Sequence, residues 1–146
     1  MKTLLTTFAF IGILALPAFS QNTPSNPDAK VYFANLQDGA TVSSPITIIF
    51  GLSGMGVAPA GTEKDNTGHH HLLIDRPPMG QGEDGADELI YGIPSDEHHM
   101  HFGGGQTEVT LELTPGSHTL QLVLGDLGHV AHATPIMSEV ITITVE

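Results

Sequence analysis

The sequence predicts an all-β fold, a single antiparallel β-sandwich of immunoglobulin-like type. Three observations carry that prediction. Apolar residues alternate strictly with polar ones in the last third of the chain, at Val109/Leu111/Leu113, Leu120/Leu122/Leu124 and Ile143/Val145, the period of half-buried strands. Gly, Pro and Asp bound the short apolar runs, as turns do. No segment shows a capped helical period. The chain has no Cys and no Trp, so the core markers of antibody-type domains are missing and only the architecture is expected.

Taken in order, Met1–Ser20 has one basic residue, Lys2, then an apolar run broken by Pro17 and a small-x-small ending, Ala18-Phe19-Ser20. That pattern predicts a cleaved signal peptide over 1–20 and a periplasmic or secreted protein. No other stretch is long and apolar enough to span a bilayer. Residues 21–30 are polar with two prolines and read as a disordered linker. Residues 31–146 form the β-sandwich domain. Its expected strands are Val31–Leu36, Ile46–Gly54, His69–Asp75, Gln106–Gly116, Ser117–Asp126 and Met137–Glu146. Glu88–Ile93 is a further small edge strand inside a long irregular stretch, Arg76–His99. A loop of that length in a compact domain is usually functional or mobile.

Sixteen acids face four basic residues, for a formal net charge of −12. Lys2 leaves with the signal segment, and nine of the acids lie between Glu63 and Glu97. Such a surface repels nucleic acid and anionic lipid, which are bound through Lys and Arg, and attracts cations. Without cysteine, stability rests on packing alone or on packing plus a bound ion.

Eight of the nine histidines fall in three short segments, 69–71, 98–101 and 129–132. In "HHHLLID", alternation puts His70, Leu72 and Ile74 on the core face and His69 and His71 together on the other. Same-face neighbours on a strand are about 6.5–7 Å apart, close enough for two imidazoles to share an ion with bonds of about 2 Å. His99 and His101 repeat the His-x-His device, followed by Gly103–Gly105. His129 and His132 sit in a loop beside Asp126, a candidate to orient a ligand ring. Imidazole without thiolate suits copper and zinc, so copper or zinc is the expected ion, with His69, His71, His99, His101, His129 and His132 as candidate ligands. An ordinary imidazole, with a pKa near 6.5, predicts metal loss below about pH 6. His118 is in register with Leu120–Leu124 and reads as structural, bridging the Pro115-Gly116 turn.

Other motifs carry less. Gly80–Gly85 spells G-x-G-x-x-G but opens no helix and holds two acids where phosphates would lie. Gly82–Glu88 lacks calcium-loop spacing. No nucleophile motif is present, which weighs against an enzyme without excluding histidine acid–base chemistry.

In "TGHHHLLID", "HMHFGGGQTEVTLELTPGSHTLQLVLGD" and "HVAHATPIMSEVITITV" the chain resembles a bacterial exported family, domain of unknown function 4399, over about Asn66 to Val145. The resemblance implies an exported β domain whose hallmark positions are these histidines with Gly103–Glu108. It implies no activity. The chain departs from the pattern at Ala133–Thr134, where a polar residue and a second proline are expected. The sequence therefore supports a metal-binding envelope protein that sequesters copper or zinc or delivers it to an envelope partner. The alternative is a metal-free interaction module in which the histidines form a structural network with Asp75, Asp126 and backbone groups, and the acidic loop meets a protein or glycan.

Overall fold

The computed structural model describes residues 22–83 and 85–146; the expected signal peptide lies outside the described residues. The chain is all-β. Among the described residues ten strands follow in order: β1 Lys30–Phe33, β2 Thr41–Val42, β3 Ile46–Ser53, β4 Gly56–Val57, β5 Thr67–Ile74, β6 His99–His101, β7 Glu108–Leu111, β8 Gly116–Gly125, β9 Ala131–Met137 and β10 Ile141–Val145. A four-residue helix, α1 Gly85–Glu88, lies between β5 and β6.

Strands β1, β3 and β7 pair antiparallel in one sheet. The larger sheet runs β2-β10-β8-β5-β4, with β6 also on β5 and β9 also on β8. Its interior is antiparallel, but β2 pairs parallel to β10 and β4 parallel to β5. The sheet is therefore mixed, where the sequence predicted antiparallel pairing throughout. Two-residue strands carry too little pattern for their direction to be read from alternation.

Alternation decides what is buried. On β3, Ile46, Ile48 and Phe50 turn inward while Thr47 and Ile49 face out. They join Leu72, Ile74, Leu120, Leu122, Leu124, Ile141, Ile143 and Val145 in one buried cluster that draws on both sheets. The opposite faces of β5 and β8 hold a second, smaller cluster, Leu73 and Val123 with Met79, Ile93 and Ala131. The long segment after β5 supplies Met79, Ile93 and, half-buried, Leu89 to that cluster. It is thus a cover on the outer face of the larger sheet.

Three local expectations change. Glu88–Ile93 is not a strand: the Ile90 and Tyr91 N–H groups both donate to the Asp87 carbonyl at 3.0 and 2.8 Å, continuing the turn of α1. Arg76 holds Glu88 inward through Nη2 at 3.0 Å and through a second contact from Nη1. Burial alone would raise the Glu88 carboxyl, but the Arg76 and Gly80 donors outweigh it and hold it below its ordinary range. The segment 131–137 is a strand rather than a loop, because its backbone pairs with the free edge of β8 beyond β10. Residues 22–29, expected as a loose linker, lie against the domain. Asn22 donates to the carbonyls of Leu89 and Ala131, and Asn26 to that of Gly54. Among the described residues no helix is long and apolar enough to cross a membrane.

Candidate metal centre

Strand β5 sends His70 into the main core and His69 and His71 out of the opposite face, as alternation requires. The His70 ring packs on Phe50 at 5.2 Å between centroids, and its Nδ1–H donates to the Gln106 carbonyl at 3.3 Å. His69 and His71 are fully buried on the other side. Strand β6 pairs His101 directly opposite His71, so their rings share a face at 5.0 Å between centroids. The fourth ring, His129, comes from the turn between β8 and β9. Asp126 fixes that turn by accepting the Gly128 and Val130 N–H groups at 2.8 and 3.0 Å. His129 takes a left-handed backbone there, φ 66°, a conformation that needs such support in a non-glycine residue.

The four rings converge. His71 Nε2 lies 3.0 Å from His69 Nε2, which lies 3.2 Å from His129 Nδ1. One ring nitrogen from each of His69, His71, His101 and His129 falls within 4.8 Å of the others. Nitrogens at the corners of a tetrahedron with bonds of about 2.0–2.1 Å are roughly 3.3 Å apart, which the His71–His69 and His69–His129 spacings of 3.0 and 3.2 Å approach. Among the described residues no carboxylate or carbonyl accepts from His69 or His71.

Electrostatics keep the lone pairs available. Burial, then repulsion from His69, His101 and His129, lowers the His71 pKa to about 2. Burial with His101 and His129 lowers that of His69 to about 4. His101 is lowered as well, by burial and His129. His69, His71 and His101 are therefore held in the neutral form that a ligand needs.

Glycines make the room. A Cβ on Gly103 would sit 2.3 Å from His101 Cε1, and one on Gly125 would sit 2.7 Å from His71 Nε2. Gly103 belongs to the glycine run that the sequence marked. Gly125 was missed, and its position inside a strand was the available signal.

The remaining candidates lie elsewhere. His99 is on the same face as His101, yet its Nδ1–H meets Asp96 Oδ1 at 2.7 Å and its Nε2 faces Arg76. A guanidinium against that nitrogen leaves no lone pair free for an ion. His132 lies on β9, its Nδ1 2.9 Å from Thr23 Oγ1, while Thr23 donates to Asp126 Oδ2 at 3.2 Å. Since the single hydroxyl proton goes to the carboxylate, His132 donates from Nδ1. Asp126 thus secures the turn and, through Thr23, His132; it orients no ring of the cluster directly. His118 donates Nδ1–H to Asp75 and Nε2–H to the Thr114 carbonyl at 2.7 and 2.8 Å. Acceptors on both sides favour the imidazolium, and the Thr114 carbonyl and Asp75 raise its pKa. This is the structural role expected for it.

The family model "Domain of unknown function (DUF4399)" matches residues 48–146, more than half of the chain. The chain belongs to this family. The match spans the strands and turns that carry all four converging histidines. No curated protein and no solved structure matches significantly.

A pH dependence follows for the metal-free protein. In the unfolded chain every histidine titrates near 6.5. His69, His70, His71, His101 and His132 all have lowered values in the fold, chiefly through burial. Below pH 6.5 the unfolded chain therefore takes up protons that the folded one refuses. Their stability contribution is present above that pH and is lost as pH falls toward about 4 and lower. His118 acts in the opposite sense, stabilising below 6.5 and fading as pH rises through its raised value, but it is one ring against five. Urea midpoints of metal-free protein should fall steadily from pH 7 to pH 4.5; an unchanged midpoint would refute the assignment of neutral buried rings.

Proposed function

We propose that this protein binds a transition-metal ion, copper or zinc, through His69, His71, His101 and His129, and that it sequesters the ion or hands it to an envelope partner. The observation that carries the reading is the convergence of four imidazoles, two of them, His69 and His71, with no carboxylate or carbonyl partner among the described residues. A structural histidine network pairs its ring nitrogens with acceptors. His118 does so with both nitrogens and His99 with Nδ1, its Nε2 facing Arg76; His69 and His71 turn theirs on each other instead. The donor set is nitrogen only, which suits both ions, with copper(II) bound more tightly in the divalent series. A signal peptide at 1–20 and a periplasmic or secreted location fit a metal handled without cysteine. The scaffold reads best as an immunoglobulin-like sandwich, since Ile48 and Phe50 of one sheet and Leu122 and Ile143 of the other share one buried cluster.

The lowered pKa values of His69, His71 and His101 change one expectation. Protons compete for an ordinary imidazole below about pH 6.5, but for His69 only near about 4 and for His71 near about 2. The metal should stay bound further into acid than one held by ordinary imidazoles. The test is metal content by mass spectrometry on tag-free protein purified at neutral pH, then offered micromolar copper or zinc. One equivalent of ion per chain is the expected result. Protein that arrives empty and takes up neither ion would end the metal reading and return the histidines to a structural network.

A further inference from the structure

The four imidazoles are unequally exposed. His69 and His71 are 0% exposed, whereas His101 and His129 line a surface groove of about 500 Å³ with Tyr91, Pro94, Ser95 and Gly128. Any ion held by the four is closed in on the β5–β8 side, where apolar side chains of the second core lie, and faces solvent on the other. The chain is strongly acidic, yet no residue lining this groove carries a carboxylate. By contrast, the cavity beside His132 is lined by Glu63 and Asp65.

The donor set sharpens the point. Four neutral ligands leave a divalent ion its full charge in a partly buried position, which is costly without a counter-charge. The carboxylate of Asp126, held by the Gly128 and Val130 N–H groups and the Thr23 hydroxyl, can offset only one of a divalent ion's two charges. It acts on His69 only through space. A counter-charge can approach from solvent through the groove that His101 and His129 line. The protein's net charge opposes an arriving anion at long range, but salt screens that beyond about 10 Å.

Resting on the metal reading above, we infer that the bound ion accepts a small anionic donor from solvent as a further ligand, seated in the Tyr91–Ser95/Gly128 groove. The anion donates a lone pair to the ion, with no change of oxidation state. The site is thereby exchangeable from one side rather than sealed, and a partner's anionic or imidazole side chain reaches the ion by the same approach.

The test is an azide titration of protein loaded with copper(II), or with cobalt(II) if the chain takes up zinc, followed by absorption and metal content. The expected result is a saturable new charge-transfer band with the ion retained. A Ser95→Trp variant fills the groove from an exposed position; it should load the same ion and lose azide affinity at least tenfold. Loaded wild-type protein whose spectrum ignores azide, azide that strips the ion without a new band, or a Ser95→Trp variant that responds as the wild type does would each overturn the inference while leaving metal binding intact. A chain that loads no ion overturns the metal reading itself, and this inference with it.

Discussion

Replacing both His69 and His71 by alanine should abolish stoichiometric binding of copper or zinc. These two rings form the buried floor of the cluster, 3.0 Å apart at Nε2, and His69 is also the ring that touches His129. Without them His101 and His129 are left as a half-buried pair at the groove. Losing only an outer hydrogen-bond partner of a ligand costs about 10–100-fold in affinity, so losing two ligands should exceed that range. Competition against a chromogenic chelator measures it. The same variant supplies a second reading: with the two most strongly shifted rings gone, the metal-free protein should lose less stability between pH 7 and pH 4.5 than the wild type does. Affinity within threefold of wild type would remove these residues from the site.

Gly103→Ala should weaken metal binding by at least about tenfold with little effect on folding, because Gly103 has no left-handed φ and the atoms nearest its added methyl group belong to the His101 ring, the first at 2.3 Å. That ring borders a solvent groove and has space to swing out, carrying one ligand with it. Gly68→Ala offers the contrast. Its methyl group would meet the Gly125 carbonyl oxygen at 2.5 Å and Leu124 Cγ at 2.9 Å, within the paired backbones of β5 and β8. Overpacking of that kind costs about 1–3 kcal/mol and should appear as a lower urea midpoint. If Gly103→Ala instead lowered the midpoint and spared affinity, the glycine would be serving the turn and not the ring.

Much of this arrangement was legible in the sequence because it follows from period two. The face assignment within "HHHLLID" needs only alternation, and it separates His70, in the core against Phe50, from His69 and His71. The same rule puts His99 and His101 on one face. What alternation does not carry is which same-face histidine is already engaged. His99 is claimed by Arg76 and Asp96, and Arg76 lies 23 residues away in sequence. His132 is held by Thr23, 109 residues away, in a segment whose prolines and polar residues suggested no fixed place. Strand β9 was missed for a related reason: "AHATPIM" lacks a strand's alternation and is a strand because the edge of β8 offers it partners. The two-residue parallel strands β2 and β4 lie below the length at which any pattern speaks.

One feature of the centre reaches beyond affinity. His69 and His129 are 60 positions apart in a chain with no cysteine. An ion joining them acts as a removable cross-link, tying the middle of the chain to the turn after β8. A covalent bond closing a loop of that length would penalise the unfolded chain by about 4 kcal/mol of lost entropy. A coordinated ion that binds only the folded form stabilises it in proportion to the ion's free concentration. Resistance to unfolding and proteolysis would then report metal supply, so that scarcity itself selects which copies of the protein survive.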